Sequence, residues 1–286
     1  MIDSHIHLFD PTRPQGIPWP ARDNATLYRP ALPDRYRGIA APFGVTGAIA
    51  IECSTWLEDN QWLLDVAARS PIIVGVIGNL EPGKPEFATH LERFHRNPLF
   101  RGIRYGNLWG RDFASDIARP EFIAGIKLLA QAGLVLDTAN PDPALIETVV
   151  RLSDRAPDAR IIIDHLPQCN PPVEAHALAA WQANLRELGK RPQVYCKLSG
   201  ILRRVDGKVP DNVAFYRRRL DELYTTFGED RVIFGSDWPN SDLWAPYETV
   251  FTLARSYFAT KSPAQMEKYY RRNSSAAYRW VSRDPV

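Results

Sequence analysis

Short apolar runs alternate along this 286-residue chain with longer stretches whose apolar positions recur every three to four residues. The short runs are rich in Ile and Val, as buried strands are, and the longer stretches have helical periodicity. Strands are predicted at about residues 2–7, 45–53, 72–80, 101–105, 133–138, 160–165, 193–199 and 231–237. Helices are predicted at Leu57 to Arg69, Pro85 to Arg96, Pro120 to Ala132, Pro143 to Arg155, Val173 to Gly189 and Asn212 to Phe227.

About eight βα units in succession predict a parallel sheet that closes into a (β/α)₈ barrel, the TIM-barrel architecture of the α/β class. The length suits one such barrel, so we expect residues 1–286 to form a single domain. A last helical stretch from Pro263 to Val281 follows the eighth unit and predicts an extra C-terminal helix.

The segment between the first two strands, residues 8–44, breaks this alternation. It is rich in Pro, Arg and aromatic residues, and only about Pro33 to Pro42 is compatible with a short helix. Loops of this length in a compact domain commonly form lids or line substrate pockets. The alternative is an ordered surface loop that contacts no ligand.

Three of the predicted strands end in side chains that bind metals or transfer protons. The first carries His5 and His7, which alternation places on one face, the sixth ends in His165, and the eighth ends in Asp237. A His-x-His pair alone is commonly only solvated or packed. Because active sites of this barrel lie at the carboxyl ends of the strands, the set predicts one assembled site.

Polar side chains also follow apolar or small residues on the remaining strands. We predict that Ala48, Ala50 and Glu52 face the barrel interior, with Ile49 and Ile51 facing the helices. On the other strands, the residues predicted to face the interior are Gly102 and Arg104, Val135 and Asp137, Ile163 and His165, Tyr195 and Lys197, and Gly235 and Asp237. Buried charges are costly unless they are paired or bind a ligand, which favours a functional site. A structural network, with Glu52 paired to Lys197 or Arg104 to Asp137, is the alternative.

Composition narrows the class of protein. The 35 Lys and Arg residues nearly balance 33 Asp and Glu residues, so neither nucleic acid nor an anionic membrane is expected as a partner. No apolar run is long enough for a membrane span, and no signal-peptide pattern follows Met1. The three cysteines lack CxxC spacing, which is typical of reduced thiols. We expect a cytoplasmic protein that acts on a small-molecule substrate and can form a homo-oligomer.

The order of these motifs resembles the amidohydrolase superfamily, in the amidohydrolase-related branch that contains sugar-lactone and dicarboxylate-lactone hydrolases. The resemblance spans nearly the whole chain. The motifs that carry it are Asp-x-His-x-His from Asp3, Arg-Gly-Ile-Arg from Arg101, Asp164-His165, Lys-Leu-Ser-Gly from Lys197 and Phe-Gly-Ser-Asp-Trp-Pro from Phe234. It implies a hydrolase that opens a cyclic ester, with one divalent metal or none.

Lactone hydrolysis needs a base for water and donors for the developing oxyanion. Asp237 is the predicted general base. The imidazoles of His5, His7 and His165, with Glu52 and Asp237, are predicted to hold one divalent ion, Zn²⁺ or a similar metal. Without a metal, the imidazoles would donate hydrogen bonds to the carbonyl oxygen.

Substrate contacts are predicted for the remaining residues at the strand ends. Arg104 and Lys197 are expected to clamp the substrate and to take part in catalysis with His165. Additional substrate-binding residues are predicted to be Asp137, Trp56, Trp109 and Trp238, with core packing as the alternative for each tryptophan.

Two rival functions remain open at this stage. A metal-dependent decarboxylase of the same superfamily would use His5, His7, His165 and Asp237 on an unsaturated or aromatic acid. A non-catalytic binder is disfavoured because the base and all three imidazoles are present.

Overall fold

A computed structural model of the chain describes residues 1–280 and 282–283. Within them, eight parallel strands pair with their neighbours in chain order. The strands are β1 (Ile2–His7), β2 (Gly47–Ile51), β3 (Ile73–Gly78), β4 (Phe100–Arg104), β5 (Val135–Asp137), β6 (Arg160–Ile163), β7 (Val194–Lys197) and β8 (Val232–Ile233). Backbone hydrogen bonds then join the end of β8 to β1, from Ser4 N to Phe234 O at 3.1 Å and from Asp237 N to His5 O at 2.9 Å. The predicted (β/α)₈ barrel is confirmed.

Helices cover the outside of the barrel. They are α1 (Pro33–Ala40), α2 (Leu57–Arg69), α3 (Phe87–His95), α4 (Phe113–Asp116), α5 (Pro120–Gln131), α6 (Pro143–Arg155), α7 (Ala175–Gly189), α8 (Val213–Phe227), α9 (Tyr247–Phe258), α10 (Pro263–Glu267) and α11 (Asn273–Tyr278). A π-helical segment, Lys268–Arg272, joins α10 to α11, so the predicted C-terminal helix runs continuously from 263 to 278. Val281, the predicted end of that helix, lies outside the described residues.

Helix α9 has no counterpart among the sequence predictions. Its sequence, YETVFTLARSYF, is rich in aromatic and β-branched residues, which favour strands by intrinsic propensity. Burial of one face, including Val250, Phe251 and Ala254, stabilises the helix in spite of that propensity.

The barrel interior is a small apolar cluster drawn from six strands. Its members are Ile2, Ile49, Ile51, Val74, Ile77, Val135, Ile162 and Ile233, closed by Ala277 and Tyr278 of α11. The predicted facing of β2 is therefore wrong, because Ile49 and Ile51 point inward while Ala48 and Ala50 pack in the larger outer cluster. The prediction for β6 is wrong in the same way, since Ile163 packs outward. Register shifts between β1 and β2 and between β2 and β3 accompany the altered phase of β2.

The loop of residues 8–44 is tied to the barrel at several points. Phe9 and Ala31 form an antiparallel bridge, and the Arg13 guanidinium forms a 2.9 Å ion pair with Asp59. Trp19 lies in a T-shaped arrangement with His7, with 5.7 Å between the ring centroids. The loop thus supplies an ordered wall above the carboxyl ends of the strands. Within the described part of the chain, no helix is long and apolar enough to span a membrane.

Candidate active site

Four side chains from three strand ends converge at the mouth of the barrel. The Asp237 Oδ1 atom lies 3.4 Å from His7 Nε2, 3.6 Å from His165 Nε2 and 3.7 Å from His5 Nε2. The two Nε2 atoms of His5 and His7 are 3.3 Å apart. All four residues are buried. We call this set, His5, His7, His165 and Asp237, the His–Asp centre.

Local backbone conformation aims these side chains. His165 and Asp237 adopt left-handed conformations with φ of 51° and 63°, which turn each side chain into the mouth just past the end of its strand. His and Asp tolerate this region better than most non-glycine residues, and such strain often marks functional sites. Gly235 leaves room for His5, because a Cβ there would lie 2.8 Å from the His5 Cβ.

Hydrogen bonds to the far side of two imidazoles orient their Nε2 atoms. His7 Nδ1 lies 3.1 Å from the Ile51 carbonyl oxygen and donates to it. His165 Nδ1 lies 2.9 Å from the Ser199 hydroxyl oxygen, which can accept its proton. In these tautomers Nε2 carries a lone pair that faces Asp237.

The His–Asp centre fits a divalent cation. Ligands around a tetrahedral Zn²⁺ with bonds of about 2.0–2.1 Å lie about 3.3 Å apart, close to the separations observed here. Asp237 Oδ1 is buried and has no hydrogen-bond partner among the described residues, whereas Asp237 Oδ2 accepts from Asn240 Nδ2 at 2.9 Å. An orphaned carboxylate oxygen among three imidazoles is the arrangement expected of a metal site.

The pKa values of the residues in the His–Asp centre favour binding of a cation. Burial lowers the pKa of His5 well below 6.5, and the Lys197 ammonium lowers it further. Burial also lowers the pKa of His165. Burial raises the pKa of Asp237, but the neighbouring His165, His7 and His5 outweigh it and hold that pKa below its ordinary value. Neutral His5 and His165 therefore face an ionised carboxylate at neutral pH.

Two buried aspartates support the centre and were not among the predicted site residues. Asp3 accepts hydrogen bonds from the hydroxyls of Tyr36 at 2.9 Å and Tyr247 at 3.3 Å, and from the backbone N–H of Ser236 at 2.8 Å. It thereby ties β1 to the segment that carries Asp237. The sequence signal was present, since a charged residue inside an apolar strand must find partners.

Asp164 is the second of these aspartates. Its Oδ2 lies 3.5 Å from His5 Nδ1 and its Oδ1 lies 2.9 Å from the Lys197 ammonium. Asp164 directly follows the end of β6, two residues after the inward-facing Ile162, whereas the predicted inward positions were Ile163 and His165. The Asp164-His165 pair in the sequence could have indicated it.

Lys197 and Asp137 lie below the mouth rather than at it. Both are fully buried, and Lys197 Nζ is 2.7 Å from Asp137 Oδ2. Neither lines the cavity above the His–Asp centre. The predictions that Lys197 is a catalytic substrate clamp and that Asp137 binds substrate are wrong, because each neutralises the other in the barrel interior.

Glu52 does not reach the His–Asp centre, so its predicted role as a metal ligand is wrong. Its Oε1 accepts from Arg104 Nε at 2.8 Å, and its Oε2 accepts from Ser54 N at 3.1 Å and Asn79 Nδ2 at 3.2 Å. It follows the end of β2 and turns toward Arg104. The ion pairs considered from sequence are thus exchanged: Glu52 pairs with Arg104, and Asp137 with Lys197.

The three predicted tryptophans have different positions. Trp109 lines the cavity, and its Nε1 lies 3.3 Å from Glu52 Oε2. Trp238 is fully buried against Tyr36, so its predicted contact with substrate is wrong. Trp56 precedes α2 on the surface, is 40% exposed and does not line the cavity, so its contact with substrate stays a prediction.

A cavity of about 240 Å³ opens above the His–Asp centre. Its walls are aromatic, apolar and amide-bearing side chains around the imidazoles. The lining residues are His7, Trp19, Cys53, Arg104, Leu108, Trp109, Asn140, His165, Gln168, Asp237 and Asn240. Burial raises the pKa of the Cys53 thiol, so Cys53 is a neutral wall residue rather than a nucleophile.

Comparison of the sequence with known proteins finds relatives that are named as lactone hydrolases. The family model described as Amidohydrolase matches residues 2–280. The chain is 31% identical over 246 residues to an L-fucono-1,5-lactonase of Burkholderia ambifaria, covering 85% of this chain and 81% of that protein. It is 25% identical over 247 residues to a 4-sulfomuconolactone hydrolase of Rhizobium radiobacter, covering 85% and 77%.

A solved structure extends the comparison to three dimensions. The crystal structure of an amidohydrolase from Burkholderia multivorans with bound Zn superposes on this fold with a TM-score of 0.84 at 26% identity. The alignment covers 98% of this chain and 99% of that one. Because the family model spans nearly the whole barrel, including every residue of the His–Asp centre, the chain belongs to the amidohydrolase family.

Proposed function

We propose that this protein is a lactonase that hydrolyses a neutral sugar lactone, with the His–Asp centre as its catalytic site and Zn²⁺ as the ion it holds. The observation that carries the proposal is the orphaned Asp237 carboxylate oxygen, surrounded by three imidazoles at the floor of a small cavity. The relatives named as lactone hydrolases support the reaction class.

The cavity walls favour a neutral ring over a dicarboxylate. Arg104 carries the only guanidinium or ammonium group among the described residues that line the cavity, and Glu52 already neutralises it at 2.8 Å. A dicarboxylate lactone would therefore bring two charges to a pocket without a free partner. Amides from Asn140, Gln168 and Asn240 can instead hydrogen-bond to sugar hydroxyls.

The volume of the cavity and its aromatic walls also favour a single small ring as the substrate. Drug-sized pockets measure about 300–1,000 Å³, so a cavity of about 240 Å³ suits a single small ring. Trp19 and Trp109 present aromatic surface to the apolar C–H face of such a ring.

The chain's own residues then account for ring opening. Asp237 accepts a proton from the attacking water as its oxygen bonds to the lactone carbonyl carbon. As the ring C–O bond breaks, Asp237 returns that proton to the leaving ring oxygen, and the product is a hydroxy acid. Arg104, whose charge Glu52 offsets, still has guanidinium N–H groups outside its two bonds to Glu52, and these can hydrogen-bond to the oxyanion at the mouth. His5, His7, His165 and Asp237 would hold the divalent ion, which supplies polarisation of the carbonyl and a lowered pKa of water.

A substrate panel tests the proposal. Purified protein loaded with Zn²⁺ is assayed by proton release with neutral sugar lactones and dicarboxylate lactones, and by CO₂ release with unsaturated and aromatic acids. We expect acid from neutral sugar lactones, because ring opening yields a carboxylic acid that ionises. CO₂ without acid from any lactone would instead establish the rival decarboxylase.

One variant tests the argument from charge. Glu52→Gln leaves the Arg104 guanidinium without its carboxylate partner, so the ratio of dicarboxylate to neutral turnover should rise relative to the wild type. An unchanged ratio would show that Arg104 does not set the charge preference.

A further inference from the structure

Lys197 has three acceptors around its ammonium group in the barrel interior. Nζ lies 2.7 Å from Asp137 Oδ2, 2.9 Å from Asp164 Oδ1 and 3.1 Å from His5 Nδ1. An ammonium has three N–H donors, and Lys197 is fully buried. Lys197 Nζ donates hydrogen bonds to Asp137 Oδ2 and to Nδ1 of His5 in the His–Asp centre, and it forms an ion pair with Asp164.

This contact places His5 in the wrong tautomer for a metal. An imidazole that accepts at Nδ1 carries its proton on Nε2, whereas a ligand needs a lone pair on Nε2. His7 and His165 do not have this conflict, because the Ile51 carbonyl and the Ser199 hydroxyl accept from their Nδ1 atoms. Both tautomers of His5 are uncharged, so the exchange changes no net charge.

Asp164 supplies the opposing contact. Its Oδ2 lies 3.5 Å from the same Nδ1 and can accept an Nδ1–H, which leaves the lone pair on Nε2. Neither Asp164 oxygen has a hydrogen-bond partner among the described residues, so Oδ2 is available to accept that proton. A hydrogen-bond donor, the Lys197 ammonium, and a hydrogen-bond acceptor, the Asp164 carboxylate, thus face the same Nδ1 atom of His5.

We propose that Lys197 and Asp164 compete for Nδ1 of His5 and set the affinity of the His–Asp centre for its cation in opposite directions. Lys197 weakens binding, because ion binding turns an Nδ1–H toward an ammonium N–H. Asp164 strengthens binding, because it accepts that Nδ1–H. Both are positioning residues that act through His5, and the inference rests on the metal centre of the proposed function.

The test measures Zn²⁺ affinity by competition with a chromophoric chelator. Lys197→Met should bind Zn²⁺ at least about tenfold more tightly than the wild type, since a charge-assisted hydrogen bond no longer opposes it. Asp164→Asn should bind about 10- to 100-fold more weakly, because its oxygen stays with Lys197 and its NH₂ faces Nδ1. Residues with a merely structural role would weaken binding in both variants, and that result would overturn the proposal.

Two further variants control for folding and for general disturbance of the interior. Tyr278→Phe removes the hydroxyl that donates to Asp137 at 2.9 Å, and it should leave Zn²⁺ affinity within about twofold of the wild type. Lys197→Met combined with Asp137→Asn removes one charge of each sign, so the net charge of the interior stays that of the wild type although Asp164 loses its ammonium partner. This double variant should also bind Zn²⁺ more tightly, and weaker binding would contradict the competition.

The wild-type protein offers a test without substitution. In ¹⁵N-histidine-labelled metal-free protein, the His5 signal should show the Nε2–H tautomer, and addition of Zn²⁺ should convert it to Nδ1–H. An Nδ1–H tautomer before metal addition would overturn the proposal. If neither the wild type nor Lys197→Met binds Zn²⁺, the metal centre and the competition both fail, while proton release by the metal-free enzyme still tests the lactonase.

Discussion

Replacing Glu52 by Gln distinguishes between two roles of this residue, a ligand of the metal ion and an ion-pair partner of Arg104. The Glu52 carboxylate is 2% exposed and binds the Arg104 guanidinium through Nε at 2.8 Å, while a terminal Arg104 nitrogen donates to the Glu52 carbonyl at 2.8 Å. Gln keeps the shape and one acceptor oxygen but removes the charge. The variant therefore leaves a nearly buried guanidinium without a counter-ion.

The expected loss follows from this burial. Removing one partner of a buried ion pair costs about 3–5 kcal/mol, and the remaining amide oxygen places the cost of this substitution at the lower end, about 3 kcal/mol. Urea unfolding followed by circular dichroism measures the free energy of unfolding. Arg104→Met added to Glu52→Gln should recover part of the loss, because apolar replacement of both partners leaves no uncompensated charge.

Metal content provides the second readout for the same variant. None of the Glu52 contacts involves the His–Asp centre, so Zn²⁺ affinity should stay within about twofold of the wild type. His7→Gln is the matched control and should lose the ion. A folded Glu52→Gln variant that does not bind Zn²⁺ would show that Glu52 supports the ion, and a free energy of unfolding within about 1 kcal/mol of the wild type would show that the ion pair is not needed for stability.

Three other outcomes follow from the structure. Gly235→Ala places a Cβ 2.8 Å from the His5 Cβ, so it should cost about 1–3 kcal/mol in urea unfolding and lower Zn²⁺ affinity; unchanged affinity would show that His5 has room to move. Trp19→Ala should raise KM roughly five- to tenfold with kcat and metal content unchanged, and steady-state kinetics would expose a loss confined to kcat instead. Burial lowers the pKa of His5 and His165, so below pH 6.5 the unfolded metal-free chain binds more protons than the folded one. As pH falls from 7 to 5, the free energy of unfolding should therefore decrease by up to about 1.4 kcal/mol per pH unit for each histidine. Urea midpoints that do not change over this pH range would contradict this expectation.

The sequence was sufficient for the architecture and for the residues of the His–Asp centre, because both depend on local periodicity and on where strands end. The His-x-His alternation of β1 and the carboxylate after β8 needed no knowledge of distant contacts. The barrel rule then places these strand ends around one mouth. The predicted assembly of His5, His7, His165 and Asp237 in one place agrees with the distances between them.

The errors lie where a side chain's role depends on a partner from another strand. Charged residues from alternate strands pair across the barrel, so Asp137 of β5 meets Lys197 of β7, and Arg104 of β4 meets Glu52 beyond β2. Spacing in sequence does not distinguish these pairs from the exchanged ones. The facing of β2 and β6 failed because Glu52 and His165 lie beyond the last residues of these strands, so their positions do not continue the alternation of the strand.

Asp237 is proposed to act as the general base, and a comparison of the wild type with Asp237→Asn tests that role. Proton release from a neutral sugar lactone is measured for the wild type and for Asp237→Asn, with the Zn²⁺ content of both determined and the Asn variant saturated with Zn²⁺. We expect kcat to fall by about 10²–10⁴-fold in the variant even when the ion is bound, because the water then lacks its base. Undiminished hydrolysis by metal-loaded Asp237→Asn would contradict it.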